Sequence, residues 1–449
     1  MVLADADGAS PPVLALPDDQ SLRHLRDPEV FEMMYGRHIE PPTNETDTDI
    51  AIVGGGLSGT LAACLLGRAG YRVTLIDRHR VFPQEFRVEK IGSEEVEKLQ
   101  RLQLFAPLSA AAVPFDEIIN MHKGHVVDRT HGQHYGFFYN RLVTAMRSAL
   151  PETVNFVVGQ VRSLRIGAAQ QRISVLGQDE ITARLLVIAT GMGDTLRRDL
   201  GILHRQISDR RPLAFGFNIR PLRSNRFRHT ALTYHGDGDG IDHLNLFPVP
   251  GTTRANLFLF RDPRDPWVKS LYDDPKQVLT AAFPSLVDTF GDFEIGSRID
   301  SWLTDITAAE NCRQDGVVLI GDAYLTSCPA SGLGVSRLLT DVERLCCGHI
   351  PQWMAETSID YTKIAAYYDD PEKLDMDISS VRMTDHHFHL TTKTDVGWRL
   401  RRQFHFMRRR VLYSIKNISP ALAAKLHQLK TIRTRSALRS AALNSKPVA

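Results

Sequence analysis

The run Ile50-Ala51-Ile52-Val53-Gly54-Gly55-Gly56-Leu57-Ser58-Gly59 sets a short apolar strand, a G-x-G-x-x-G turn and an apolar helix in immediate succession. That order is the start of a βαβ unit. Gly54 permits the tight turn, Gly56 lets a pyrophosphate meet backbone at the positive end of the helix, and Gly59 lets helix and strand pack closely. The helix runs to Ala69, Gly70 ends it, and a second strand over Arg72 to Ile76 leads to Asp77, 18 residues after Gly59. A carboxylate there accepts hydrogen bonds from an adenosine ribose and repels a 2′-phosphate. Gly54, Gly56, Leu57, Ser58, Gly59, Asp77 and the adjoining Arg78 are therefore the candidate contacts of an adenine dinucleotide.

The other 420 or so residues must supply further domains, since one core rarely organises so long a chain. Residues 1–48, rich in Pro, Asp and Glu with one candidate helix near Pro28 to Tyr35, read as a partly disordered extension. A first part of the dinucleotide domain over 49–205 is expected to include strands Asn155 to Val158, Gln171 to Leu176 and Leu185 to Ile188. From 206 to 296 the period changes to that of an antiparallel meander, with strands Leu213 to Ile219, Thr230 to His235, Ile241 to Pro248 and Thr253 to Phe260, and a turn at 236–240. The α/β pattern returns over 297–350, and 351–449 reads as helical.

Gly321-Asp322-Ala323 follows the apolar strand Val317 to Ile320, and Pro329, Gly332 and Gly334 then precede another helix. This resembles, position for position, the second FAD motif of the group A flavoprotein monooxygenases, the aromatic-hydroxylase family, written G-D-A with a downstream P-x-x-G-x-G. The resemblance covers residues 49 to 350. It implies an α/β fold: a Rossmann-like FAD-binding domain of the glutathione-reductase type, an inserted antiparallel sheet facing the substrate, and a C-terminal helical region. Asp322 would hold the ribityl chain, and the backbone from Gly332 to Ser336 would face the pyrimidine edge of the flavin. Arg87 and Arg141 would meet flavin and pyrophosphate, and Val161 the adenine. Phe217, Tyr234, Leu246 and Phe258 are the pocket candidates on the sheet. In this family NADH or NADPH reduces the FAD, O2 forms a C4a-hydroperoxide, and one oxygen atom enters a small aromatic or isoprenoid-like substrate; no particular side chain is assigned a catalytic step.

The resemblance has gaps. The family's middle Asp-Gly pair reads Ala189-Thr190-Gly191 here, with Arg197 as its trailing arginine; Leu325 and Ser336 replace the usual His and Asn. Loss of that Asp favours, as alternatives, a flavin oxidase, dehydrogenase or saturase. A flavin-dependent halogenase would use a lysine such as Lys90 or Lys123, although its W-x-W-x-I-P signature is absent. A non-catalytic binding protein of the GDP-dissociation-inhibitor type is opposed by Asp77 and the Asp322 motif.

Other constellations are weaker. Five cysteines, an odd count without a C-x-x-C pair, read as reduced, buried thiols. His386, His387 and His389 beside Asp385 lack a fourth ligand, so no metal is expected. His122, His125, His131, His134 and Tyr135, interleaved with glycine, read as loop. No secretory signal or long apolar run occurs, which suggests a cytoplasmic protein. Residues 396–449 carry 13 Lys or Arg and no acid, whereas the preceding chain, with 41 basic and 52 acidic residues, is acidic. No nucleic-acid motif accompanies this tail, and its interleaved aromatics suit either packing on the acidic body or peripheral contact with the inner face of a membrane.

Overall fold

A computed structural model describes residues 47–418. The candidate helix at 28–35, nearly all of the N-terminal extension and the last basic residues lie outside them. The βαβ unit forms as its pattern dictates: strands Thr48–Val53 and Val73–Asp77 are parallel, with Ile50 beside Val73, and helix Leu57–Arg68 crosses between them. Ile181–Ile188 pairs parallel on the other side of the first strand, and Val317–Leu319 extends the sheet from Ile181–Ile188. Ile50, Ile52, Leu75, Leu185 and Val187 are fully buried, each worth about 1.5–3 kcal/mol. An all-apolar strand is what a sheet covered on both faces requires.

The second sheet is larger. It has nine strands, and its order departs from the expected meander. Leu232–His235, Ile241–Val249 and Thr252–Leu259 follow one another as expected, with the turn at 236–240 between the first two. Leu213–Pro221, however, pairs with Thr252–Leu259 rather than with Leu232–His235. The edge at Leu232–His235 is instead taken, in parallel, by Val113–His122. That strand and His125–Phe138 form a long hairpin, so the histidine-rich segment read as loop is strand, turning at Lys123 and Gly124. Val88–Ile91 completes the far edge. Three short helices over 266–290 cover one face of this sheet, burying Phe283, Leu286 and Phe290 against Phe217, Leu246 and Leu257. The other face turns toward the dinucleotide sheet.

The long helices Pro371–Thr392 and Val396–Ile418 follow. Asp370 caps the first, accepting from the amides of Glu372 and Lys373 at 3.1 and 3.2 Å. Among the described residues no helix is long and apolar enough to cross a membrane. Cys64, Cys312, Cys328 and Cys346 are buried free thiols and Cys347 a half-buried one.

Candidate active site

The turn after the first strand is built by its glycines. Gly54 adopts φ +107° and donates to Ile76 O at 2.8 Å. A Cβ on Gly59 would lie 2.0 Å from Gly54 O, whereas one on Gly56 would meet nothing nearer than the Tyr139 hydroxyl at 3.9 Å. The first and last glycines therefore close the turn and the middle one leaves backbone open. Asp77 accepts from the Gly55 and His79 amides at 2.7 and 2.8 Å. The arginine that reaches this place is Arg147, whose Nε donates to Gly55 O at 2.9 Å and whose Nη2 lies 3.3 Å from Asp77. Arg141, expected at the pyrophosphate, is exposed over the Phe138 ring instead: it and Arg147 project from the same helix, Tyr139–Ser148, in different directions. Arg78 is exposed too, and Val161, half-buried, opens a strand separate from Val154–Val158.

Tyr139 begins that helix and accepts from the Leu57 amide at 3.3 Å. Arg87 stacks over its ring at 4.2 Å and is paired with Glu85 at 2.7 and 2.9 Å. The second motif stands across from them. Gly321, at φ +63°, donates to Asp341 at 3.0 Å, and Asp322 accepts from Arg337 at 3.3 Å. Arg197 is buried, donating to Gly191 O at 2.9 Å and to Ala323 O at 3.1 Å, so it pins the 189–192 loop to the G-D-A turn. Gly332, at φ +68°, and Gly334 have open space where a Cβ would project.

Leu57, Arg87 and Tyr139 on one side and the second motif on the other line one cavity of about 570 Å³. It runs from Leu57, Arg87 and Tyr139 past Asp322, Pro329, Gly332 and Gly334 to a chamber walled by Ile118, Ala214, Phe247, Phe258 and Trp302. Phe258 is the one pocket candidate of the sheet that lines it. Phe217, Tyr234 and Leu246 point to the opposite face, into the core beneath the 266–290 helices, because alternate residues of a strand face opposite sides. Tyr234 spends its hydroxyl there, donating to Pro284 O at 2.7 Å. Polar residues not anticipated as cavity groups also line it, among them Glu89, Glu95, His134 and Asn245. Burial pushes the Glu89 carboxyl up to about 7 and pulls the Lys90 amine, also in the lining, down to about 8. Lys123 lies elsewhere, at the hairpin turn, paired with Asp237 at 2.8 Å.

The histidines of the Pro371–Thr392 helix separate. His389 stacks on Trp398, and Asp385 pairs with Arg210. His387 joins His243 at Asp242, the three offering ligand atoms within 4.8 Å of one another. Asp242 accepts from both Nδ1 atoms and from Thr391, at 2.7–3.0 Å. These groups are spent on one another, as in a closed buried polar network.

A G-x-G-x-x-G turn with open backbone at Gly56, a carboxylate ending the next strand and a second motif lining a cavity together fit an FAD-dependent oxidoreductase. The open backbone at Gly56, Gly332 and Gly334, where side chains would intrude, fits that cofactor. The family described as FAD binding domain matches residues 47–348, and the chain belongs to it. Among its relatives, 6-methylpretetramide 4-monooxygenase of Streptomyces rimosus is 42% identical over 339 residues, covering 68% of this chain and 75% of that one. The chain is an FAD-dependent monooxygenase. Its fold is that of p-nitrophenol 4-monooxygenase from Pseudomonas putida (TM-score 0.63, 17% identity, 90% of this chain and 100% of that one). The flavin-dependent halogenase CmlS shares it as well (TM-score 0.64, 16% identity, 83% and 72%).

Proposed function

We propose that the protein inserts one atom of O2 into a planar, hydroxylated aromatic compound of the pretetramide kind, with NADH or NADPH as reductant. The observation that carries this reading is the chamber beyond the flavin motifs. Its Phe247, Phe258 and Trp302 walls suit a flat ring system, and its Asn245, His134 and Lys90 suit oxygen substituents.

Bound FAD supplies the reduction by nicotinamide and the activation of dioxygen. The chain's own groups hold and shield it. Gly56 and Ser58 would offer backbone amides to the pyrophosphate, Asp77 would accept from the ribose, and Asp322, fastened by Arg337, would accept from the ribityl chain. The amides opening the helix at Gly334 face the flavin's pyrimidine edge. Arg87 and Tyr139 close the side near Leu57, and the phenylalanines exclude water from the reacting ring.

The same reading keeps the enzyme in the cytoplasm, where reduced nicotinamide is available, with helix Val396–Ile418 resting on anionic lipid. That helix buries Arg402 and Phe406 on one side and exposes Leu400, Phe404, Met407 and Val411 on the other, flanked by exposed Arg399, Arg401, Arg408 and Arg410. The test of the main reading is incubation of the FAD-loaded enzyme with NADPH, 18O2 and hydroxylated polycyclic aromatics. One labelled oxygen in the product is expected; turnover that releases only hydrogen peroxide with every such compound would move the assignment to an oxidase.

A further inference from the structure

The chamber contains a cation with no counter-charge in ion-pair reach among the described residues. Lys90 lines it from the Val88–Ile91 strand, and among the described residues its Nζ has no hydrogen-bond acceptor and no carboxylate within ion-pair reach. Its neighbour Glu89 also lines the cavity, but from the alternate position of the strand, where Arg87, Asp322 and Arg254 set its field. The titratable groups facing Lys90 are imidazoles, His134 from the adjoining hairpin strand and His243 from the middle of the sheet. Glu95, beyond His134, is engaged by the Gly92 amide at 2.9 Å and by the Ser336 hydroxyl. An ammonium without a counter-charge in such a place is expensive.

The neighbouring donor is oriented by a chain of hydrogen bonds. Asp242, a buried carboxylate, can only accept, so His243 gives it Nδ1–H at 2.8 Å and keeps Nε2 as an acceptor. Asn245 Nδ2 donates to that Nε2 at 3.0 Å, and its Oδ1 accepts from Thr233 at 2.7 Å. The amide cannot flip without breaking both bonds. Asn245 lines the chamber, and one amide hydrogen remains for a ligand.

We propose that Lys90 and this remaining N–H of Asn245 bind an acidic hydroxyl of the substrate as its oxyanion, which orients the ring system and selects phenols and enols that ionise readily. The substrate O–H bond breaks, the electron pair stays on the substrate oxygen, and the proton passes to Lys90 where its amine is neutral and to solvent where it is already the ammonium. With burial drawing Lys90 down to about 8, part of the population holds a neutral amine near neutral pH and can take that proton. The assignment rests on the hydroxylated-aromatic reading of the substrate and not on the identity of the reductant.

Alizarin, a planar hydroxyanthraquinone whose ionised form absorbs to the red of oxidised flavin, serves as the probe. It is titrated into FAD-loaded enzyme, without reductant, at a pH where the free dye is neutral. Wild type is expected to bind it with the red band of the ionised form. Lys90→Met should lose the band and bind about tenfold more weakly or worse with its flavin content intact, and Lys90→Arg, which keeps the cation, should restore the band. Dye bound to wild type in its neutral form, no dye bound to wild type, or an unchanged band and affinity in Lys90→Met would each overturn the assignment. The monooxygenase reading stands or falls separately, on the incorporation of 18O.

Discussion

Arg337 holds the carboxylate of Asp322 from beneath the cavity, Nη2 to Oδ1 at 3.3 Å, while its Nη1 reaches Asp341 at 3.2 Å. The helix that follows the second flavin motif thereby fastens the motif's own acid. Asp341 is shared with Lys373 at 3.0 Å, and Lys373 continues to Asp377 at 2.8 Å, all within a buried cluster. Removing one member strands the charge of the others.

Arg337→Met should therefore cost about 3–5 kcal/mol, since Asp341 and Asp377 would be left to Lys373 alone. Flavin should be lost with the fold. Asp322→Asn, at the rim of the cluster, should unfold within about 1 kcal/mol of wild type and still release FAD more readily. Thermal unfolding and flavin content of the two variants test this; a fold equally stable in Arg337→Met would show the cluster to be incidental.

The glycines make a second contrast. Gly59→Ala drives a methyl to 2.0 Å from Gly54 O, a backbone clash that should abolish soluble expression or cost several kcal/mol, about 3 or more. Gly334→Ala places its methyl in open cavity, so the protein should fold with unchanged unfolding midpoint and bind FAD at least about tenfold more weakly. Normal flavin affinity in Gly334→Ala would remove the cofactor from that end of the helix.

Arg147→Met should loosen the Gly55 turn and leave Asp77 without its guanidinium, lowering FAD affinity by about 1–2 kcal/mol in a dilution assay followed by flavin fluorescence. Arg141→Met should change nothing measurable there. The reverse ranking would return the pyrophosphate contact to Arg141.

Both flavin motifs were legible because their chemistry is local: strand, turn and helix residues lie within a few positions of one another. The sharing of Asp341 between Arg337 and a lysine 32 residues beyond that acid was not, for no local pattern ties Lys373 to Asp341. The sheet misled for a different reason. Its chamber face carries Phe247 and Phe258 and its core face Phe217 and Leu246, so apolar residues occupy both faces and alternation loses its phase. Only the helices at 266–290 decide which face is core. The hairpin over 113–138 escaped notice because its glycines look like loop. One of them, Gly136, is required by close strand contact: a Cβ there would lie 2.1 Å from Pro248 O.

Lys90 yields a prediction in which stability and function diverge. Its amine titrates at about 8 in the fold against 10.5 ordinarily, so between those values the unfolded chain holds more protons and stability of the substrate-free enzyme rises with pH. Below about 8 the full penalty applies. Lys90→Met should thus stabilise the FAD-loaded protein at neutral pH by about 1–3 kcal/mol, and the gain should shrink as pH approaches 10.5. Denaturant midpoints across that range measure it; a variant less stable than wild type at neutral pH would mean the amine has a partner in solution.

The outward face of Val396–Ile418 gives the last test. Phe406 stacks on His122 with ring centroids 3.8 Å apart, and Arg409 pairs with Asp128 at 2.6 Å, which fixes the helix against the hairpin. Leu400 and Phe404 are consequently turned away, each 60% exposed. Replacing both by Asp removes insertable surface and adds charge repelled by acidic headgroups, without touching the packed side. Sedimentation with phosphatidylserine-containing vesicles should fall at least about tenfold, whereas flavin content and unfolding midpoint should hold. Salt should weaken binding of the parent protein, since arginines supply the attraction. Equal sedimentation of parent and double variant would assign this stripe to something other than lipid.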